Sequence, residues 1–426
     1  GLPFFRFIAT APPPSSDRAL TLNTMMLTML VGTPALRAGT ALRMSADVSA
    51  GPVLTPRKDG IRRTLSTTGS PVPVGGGPPP DELGWFDGEA LGSCVVKRFT
   101  DEMAGERWMM WYSGRSGQIE ADAPTSYGLG GSGCVGHAIS KDGLVWERLA
   151  GDEVGGSCLG PNDESWWCFD TKHVSVGDVN VLSSQVVQNN MGLYWMYFFG
   201  GDANEVEGGG GVGEAMSIGV ALSNDGIHWG RVEGEHSSGA VLEPNEGQLF
   251  VGWPQVIQIG SDPERWRMYF HALNTKTKRY EIGIASSPDG MTWSHGGVCL
   301  GPGPPGSFDE GGVSARCVVA DPAQVGHWIM FYEARDAAGR RTIGQARSTN
   351  GETWKRREQP VFEPGTGGWD GEAVGQPWLV PLDDGAAMLY YLAEGKEGSG
   401  LGVACSDGAD WTNWTCIDPD GPLQVQ

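Results

Sequence analysis

One short pattern recurs five times along the sequence: a serine, then an aspartate or asparagine followed by glycine, then a tryptophan. The five tryptophans are Trp146, Trp229, Trp293, Trp354 and Trp411. Asp-Gly or Asn-Gly between alternating apolar residues is typical of a β-hairpin turn, because both residues tolerate a positive φ. Each copy therefore predicts a hairpin whose tryptophan packs at the start of the following strand.

Two further strand patterns precede each turn. A Gly-x-Ala strand lies directly before it, and a strand with a methionine lies before that, at Met110, Met196, Met268, Met330 and Met388. A short apolar run opens each copy. Four short strands per repeat, five repeats and no helical periodicity predict an all-β fold, a five-bladed β-propeller with four-stranded antiparallel blades over residues 84–426. An open stack of the same repeats is the alternative.

The first part of the chain has a different composition. Residues 25–44 contain Arg37 and Arg43, no acidic residue and many small residues, a composition that suits a transit peptide. We predict a targeting segment over residues 1–44 and a location in a plastid, with secretion as the alternative. The proline- and glycine-rich residues 45–83 predict a flexible lead-in.

Charge and cysteine content exclude several functions. A net charge of −21 argues against binding to nucleic acid or to an anionic membrane, because both need a positive field. The eight cysteines form no C-x-x-C pair, so we predict neither a zinc site nor a disulfide framework. We expect no cofactor and no metal ligands, although a central ring of acidic residues could hold Ca²⁺.

The repeats resemble the five-bladed superfamily of invertases, levansucrases and arabinanases, with this chain as a divergent member. The Met-aromatic strand, the Gly-x-Ala-x-Ser strand and the Asp-Gly-x-x-Trp turn carry the resemblance, over residues 84–416. An aspartate before the first strand of a repeat adds to it, at Asp87, Asp170, Asp309 and Asp370. The resemblance implies that the partner is a carbohydrate.

The resemblance also implies catalytic carboxylates at the beginnings of the first strands of three blades. Glycoside hydrolysis normally needs two carboxyl groups across the scissile bond. The corresponding positions here are Ser93, Val176, Trp253, Arg316 and Gln376, and none is a carboxylate. Hydrolysis by the family mechanism is therefore left open by the sequence.

Carboxylates do lie close to these positions, and the ends of the second strands differ from repeat to repeat. A sugar is not five-fold symmetric, so we expect its site to break the symmetry of the repeats. We predict catalytic roles for Glu89, Asp170 and Glu333. We predict substrate-binding roles for Asp87, Arg115, Trp253, His271, Arg335, Glu372 and Glu394.

Each of these residues also has a structural interpretation. The recurrent aspartates could accept hydrogen bonds from backbone N–H groups in the loop before each first strand. The arginines and glutamates could pair with each other at a solvated rim, and Trp253 could plug the channel instead of stacking on a sugar.

Two functions follow from these patterns. The first is a glycosidase-like propeller that binds, and could hydrolyse, a carbohydrate at a central pocket. The alternative is a non-catalytic propeller that serves as a binding or assembly platform for a protein partner, in a plastid.

Overall fold

The repeated strand patterns form antiparallel sheets in the structure, which is a computed structural model. It describes residues 52–56, 85–101, 105–116, 132–181, 193–202, 215–259, 266–365, 369–396, 398–406, 408 and 410–417. The predicted targeting segment, residues 1–44, and most of the predicted lead-in lie outside the described residues.

Twenty strands are present in this described part, and they fall into five consecutive four-stranded units. Unit 1 contains β1 (Ala90–Asp101), β2 (Gly105–Ser116), β3 (Ser132–Ser140) and β4 (Glu147–Leu149). Unit 2 contains β5 (His173–Val181), β6 (Tyr194–Gly201), β7 (Met216–Ser223) and β8 (Gly230–Val232). Unit 3 contains β9 (Gln248–Gln258), β10 (Trp266–Asn274), β11 (Tyr280–Ser287) and β12 (Ser294–Leu300). Unit 4 contains β13 (Gly312–Ala320), β14 (Trp328–Arg335), β15 (Arg341–Ser348) and β16 (Lys355–Arg356). Unit 5 contains β17 (Ala373–Pro381), β18 (Ala387–Gly395), β19 (Gly398–Ser406) and β20 (Trp414–Cys416).

Within each unit, consecutive strands pair antiparallel, as predicted. Units 3 and 4 are also joined by one parallel pairing, between Tyr280 and Gly312. Among the described residues the helical content is a single 3₁₀ turn at Val154–Gly156, and no helix there has the length and apolarity to cross a bilayer.

The repeated serine fixes the predicted hairpin turn. Ser140 Oγ accepts hydrogen bonds from the backbone N–H groups of Asp142 (3.2 Å) and Gly143 (2.9 Å). Trp146 Nε1 donates to the Gly143 carbonyl at 3.1 Å, and Gly143 has a φ of 76°. The serine bonds recur at Ser223, Ser287 and Ser348. The predicted hairpin is therefore present in four units, with the glycine at a positive φ. The preceding aspartate or asparagine does not share that conformation and instead accepts hydrogen bonds within the turn.

The fifth copy of the turn is one residue shorter, and its side chains bond differently. Ser406 Oγ accepts a hydrogen bond from the Ala387 backbone N–H at 2.8 Å. Trp411 has a φ of 52° and donates to the Gly385 carbonyl at 3.0 Å. Unit 5 thus ends with a modified turn, but its tryptophan is still buried.

The first strands of the units contact one another in cyclic order: β1 contacts β5, β5 contacts β9, β9 contacts β13, β13 contacts β17, and β17 contacts β1. Side chains, and not backbone ladders, join several of these neighbours. The Val256 backbone N–H donates to Asp178 Oδ2 at 3.0 Å, which joins β9 to β5. Gln255 makes two bonds from β9 to Val318 on β13, accepting from its N–H at 2.7 Å and donating to its carbonyl at 3.0 Å.

The remaining neighbouring pairs have equivalent links. The Leu379 backbone N–H donates to Cys317 Sγ at 3.3 Å, between β17 and β13. Trp378 Nε1 donates to the Val96 carbonyl at 2.9 Å, between β17 and β1. Ser93 Oγ donates to the Val176 carbonyl at 3.0 Å, between β1 and β5. Each of the five neighbouring pairs of first strands therefore has at least one hydrogen bond that uses a side chain.

A short segment before unit 1 completes unit 5. Leu54 pairs antiparallel with Leu401, directly before the glycine of the Gly-x-Ala strand, and its side chain is buried. In units 1, 2 and 4 a residue of the segment that follows the fourth strand occupies this place, through the pairs Val135–Leu159, Ile218–Leu242 and Ile343–Phe362. Residues 52–56, which belong to the predicted lead-in, thus supply the equivalent pairing in unit 5.

Replacing Gln255 with leucine tests the links between first strands. The change leaves the N–H and carbonyl of Val318 without their side-chain partner in a buried environment, which we expect to cost about 1–3 kcal/mol of unfolding free energy. Denaturant unfolding measures the loss. Gln258→Leu is the matched control, because Gln258 is exposed on the same strand. Equal stability of the two variants would contradict the role of Gln255.

Leu54→Ala tests the completion of unit 5 from outside it. A leucine-to-alanine change at a buried position costs about 2–5 kcal/mol, and here the loss should fall on β19. Hydrogen exchange should therefore show faster exchange in Gly398–Ser406 than in the wild-type protein. Thr55→Ala, at the exposed neighbouring side chain, should leave exchange unchanged; if Leu54→Ala also does, the segment does not stabilise unit 5.

Candidate functional site

Each first strand carries a register irregularity near its beginning. Relative to the second strand, the shifts fall at Leu91/Cys94, Val176/Asp178, Ser314/Arg316 and Gly375/Trp378, and in unit 3 opposite Tyr269/His271. Trp253 and Gln376, at the shifts of units 3 and 5, have φ values of 49° and 48°. Bulges re-aim side chains and are frequent beside active sites, and a positive φ is uncommon for residues other than glycine. We call this side of the units the bulge end.

Three of the four aspartates before the first strands pair with an arginine of their own unit. Asp87 is fully buried, accepts a hydrogen bond from the Tyr112 hydroxyl at 2.8 Å and pairs with Arg148 at 2.9 Å. Asp170 is buried and pairs with Arg231 at 2.7 Å. Asp309 and Arg356 pair in the same way, also at 2.7 Å. These contacts give the aspartates a structural role, although through arginine side chains and not through the backbone N–H groups that we predicted. We therefore carry neither the binding role of Asp87 nor the catalytic role of Asp170 forward.

Glu333 is also buried, and its contacts join two units. One carboxylate oxygen lies 3.2 Å from Arg335 Nη2, and the other accepts a hydrogen bond from the Gln376 backbone N–H at 3.2 Å. Ser113 does the same in unit 1, accepting from the Val176 N–H at 3.1 Å. Glu333 therefore holds the bulge of the next unit, and it has no exposed surface.

His271 lies beneath the bulge of unit 3. It is fully buried, and its ring stacks on Trp253 with the centroids 4.4 Å apart. Burial lowers the pKa of His271 well below its usual value, and the positive charges of Arg316 and Arg335 lower it further. The neutral form is therefore favoured. Trp253 is 5% exposed, and its ring also packs on Phe199, with the ring centroids 4.2 Å apart. The indole therefore fills the space between the strands and has no open face on which a sugar could stack.

Beside this histidine, the second and third strands of unit 4 bring charged groups together. Arg335 lies over the Tyr280 ring, 4.8 Å from its centroid. Its pairing partner across the sheet is Arg341, which is buried and forms an ion pair with Glu394 of unit 5. The Glu394 side chain is 40% exposed, so it is accessible from solvent.

Units 1 and 5 present two more carboxylates at the bulge end. Glu89 and Glu372 are both exposed. Their backbone N–H groups make matching hydrogen bonds, to the carbonyls of Arg115 (3.1 Å) and Glu394 (3.0 Å). Arg115 is 7% exposed, and burial lowers its pKa while Glu89 opposes that effect. The structure thus groups Glu89 with Arg115, and Glu372 with Glu394 and Arg341.

A cavity of about 790 Å³ lies at the other ends of the first strands. Residues of all five first strands line it, including Lys97, Asp178, Gln255 and Trp378. Lys97 Nζ and Asp178 Oδ1 form an ion pair of 3.2 Å there. We did not predict this cavity, although the polar residues Lys97, Asp178 and Gln255 within apolar strands were a signal for it.

Metal ligands are not grouped in the part of the chain that the structure describes: no cluster of three or more His, Cys, Asp or Glu side chains there could hold a metal ion. The suggestion of Ca²⁺ in a central acidic ring therefore has no support from these residues, and we do not carry it forward.

No protein-family model and no curated protein matches the chain. Solved structures do match it. A glycosyl hydrolase from Bacteroides ovatus is 13% identical, with a TM-score of 0.52 over 85% of this chain and 95% of that one. A thermostable family-43 glycoside hydrolase is 14% identical, with a TM-score of 0.50 over 80% and 96%.

A third match comes from the GH130 family of mannoside phosphorylases, in which glycoside hydrolases target β-1,2 mannosidic linkages in Candida mannan. It is 13% identical, with a TM-score of 0.52 over 83% of this chain and 91% of that one. At such identities the likeness concerns the fold alone. The chain has the fold of the propeller glycoside hydrolases, and the resemblance stated from the repeats is confirmed at that level.

Replacing His271 with phenylalanine tests its neutral burial. The folded-state pKa lies below the unfolded value of 6.5, so the unfolded state binds more protons as the pH falls below about 6.5. The neutral, buried His271 therefore contributes to the free energy of unfolding above that pH. This contribution is lost as the pH falls below it, by up to about 1.4 kcal/mol per pH unit. Unfolding curves between pH 7.5 and 4.5 should show a smaller acid loss in the variant.

His228→Gln is the control for this measurement. His228 is 61% exposed, and hydrogen bonding to Asp225 raises its pKa. Its contribution to the free energy of unfolding is therefore lost as the pH rises, which is the opposite pH dependence to that of His271. An acid loss in His271→Phe as large as in the wild-type protein would contradict the neutral histidine.

Proposed function

We propose that this chain is a five-bladed β-propeller that binds a carbohydrate at the bulge end of its axis and hydrolyses it with exposed carboxylates there. The observation that carries the proposal is the set of accessible glutamates, Glu89, Glu372 and Glu394, on a fold shared with glycoside hydrolases. The five units, the cyclic contacts of their first strands and a cavity lined by all five support the blade number.

The asymmetry of the bulge end supports a specific ligand. The third residue after the repeated methionine is Ser113, Phe199, His271, Glu333 and Tyr391 in units 1 to 5. The structural positions around it, by contrast, repeat from unit to unit. A site for an asymmetric sugar needs different groups in each blade, and this is where the blades differ.

Glu89 is our candidate for the carboxylate that acts as base or nucleophile. It is exposed, and it lies near the positive charge of Arg115. Glu372 of the adjacent unit is our candidate for the second carboxylate, because β17 contacts β1. The buried Glu333 positions the bulge of unit 5 and is not assigned a chemical step.

The assembly-platform alternative is not favoured by any observation on the described residues. The plastid location stays a prediction, since the segment on which it depends lies outside them.

The test is to assay the purified protein with panels of aryl glycosides and oligosaccharides, and then to repeat the assay with Glu89→Gln. If Glu89 takes part in the reaction, kcat should fall by about 100-fold or more, while sugar binding is retained. Glu147→Gln, at an exposed position on β4, is the matched control and should keep wild-type activity. Failure to bind any sugar, or activity unaltered in Glu89→Gln and Glu372→Gln, would contradict the proposal.

A further inference from the structure

Arginines gather at the bulge end of a strongly acidic protein. The net charge of the chain is −21, yet four arginines lie at or near the bulges or the ends of the second strands, at Arg115, Arg316, Arg335 and Arg341. Three of them are buried, with 4–7% of their surface exposed, and Arg335 is nearly so. Removing a guanidinium from water is costly unless an anion or other acceptors compensate for it.

Arginines elsewhere in the units have such compensation. Arg148, Arg231 and Arg356 each pair with the aspartate before the first strand of their own unit. At the bulge end, Arg335 pairs with Glu333 and Arg341 with Glu394. These ion pairs within the fold therefore compensate for the burial of these arginines.

Arg115 differs from them. Its side chain is 7% exposed, and its Nε and Nη1 atoms are buried without a hydrogen-bond acceptor among the described residues. Glu89 is the charged group that affects it, but Glu89 is exposed to solvent. Two N–H groups of one guanidinium thus lack an acceptor in the described part of the chain, near the proposed carbohydrate site. They lie on different edges of the guanidinium, and each has an Nη2–H beside it with which it could contact two oxygens of an anion.

We propose that Arg115 binds an oxyanion of the ligand, so that the protein prefers a sugar bearing an acidic group to its neutral counterpart. This inference rests on the proposed carbohydrate site and specifies its substrate class. A planar guanidinium presents paired donors that match the two oxygens of a carboxylate or a phosphate. The carboxylate of a uronic acid and inorganic phosphate bound beside a neutral sugar are the two sources of that chemistry.

Calorimetric titration with matched probes separates these sources. The probes are the methyl glycosides of galacturonic acid and galactose, those of glucuronic acid and glucose, and inorganic phosphate. We expect at least one acidic glycoside to bind about tenfold or more tightly than its neutral match, the difference that one charge-assisted hydrogen-bonded contact supplies. Arg115→Gln should abolish the difference, and Arg115→Lys should retain part of it, because lysine keeps the charge without the paired donors.

Arg98→Gln is the matched control. Arg98 lies on the first strand of the same unit, away from the bulge, where it pairs with Glu106 and Asp383, so this variant should keep the preference. Thermal unfolding of each variant verifies that it is folded. Phosphate binding that is lost in Arg115→Gln, without any acidic-sugar preference, supports the oxyanion site and identifies phosphate as the source.

Two outcomes would overturn the inference: equal binding of acidic and neutral glycosides with no phosphate binding, or a preference that survives in Arg115→Gln. The first of these, with neutral sugars still bound, leaves the proposed carbohydrate function intact. Phosphate binding without binding of any sugar removes the proposed function and leaves the oxyanion site.

Discussion

The arrangement of the units depends on hydrogen bonds between side chains and backbone where their first strands meet. Neighbouring units diverge from one another, so their first strands cannot continue a backbone ladder, and buried N–H and C=O groups need other partners. Asp178, Gln255, Cys317, Trp378 and Ser93 supply them, one for each neighbouring pair. These residues occupy related places in the repeats but have different chemistry, so each junction is specific for its own neighbour.

Along each first strand, the residues that link neighbouring units are separate from the residues at the bulge end, where we place the ligand. Four of the five links lie after the bulge. At the bulge itself, Glu333 and Ser113 hold backbone N–H groups from the neighbouring second strand. Charged groups at this end, such as Glu89 and Arg115, can therefore vary from unit to unit without loss of the contacts that hold the first strands together.

The sequence was sufficient to predict the strands and the hairpins, because these depend on local patterns that recur. It could not predict the bulges. In a bulge, two residues of one strand lie opposite one residue of the partner strand, so its position depends on how the two strands pair. Burial separates Glu333 from Glu89, although both are carboxylates near strand ends, and that depends on contacts with another unit. The sequence placed Arg115 and Glu89 at one end of the repeats. It placed Arg316 at the beginning of a first strand without giving it a role, and it did not indicate Arg341.

The pairing of Leu54 with Leu401 has a consequence for how the protein forms. Almost 350 residues separate the two partners, and contacts between residues so distant in sequence form late, because a long loop must close first. During synthesis the early segment leaves the ribosome well before β19 exists, so it must wait while units 1 to 4 assemble. Docking of this segment is then among the last steps, and until it occurs the edge of β19 stays open to other chains.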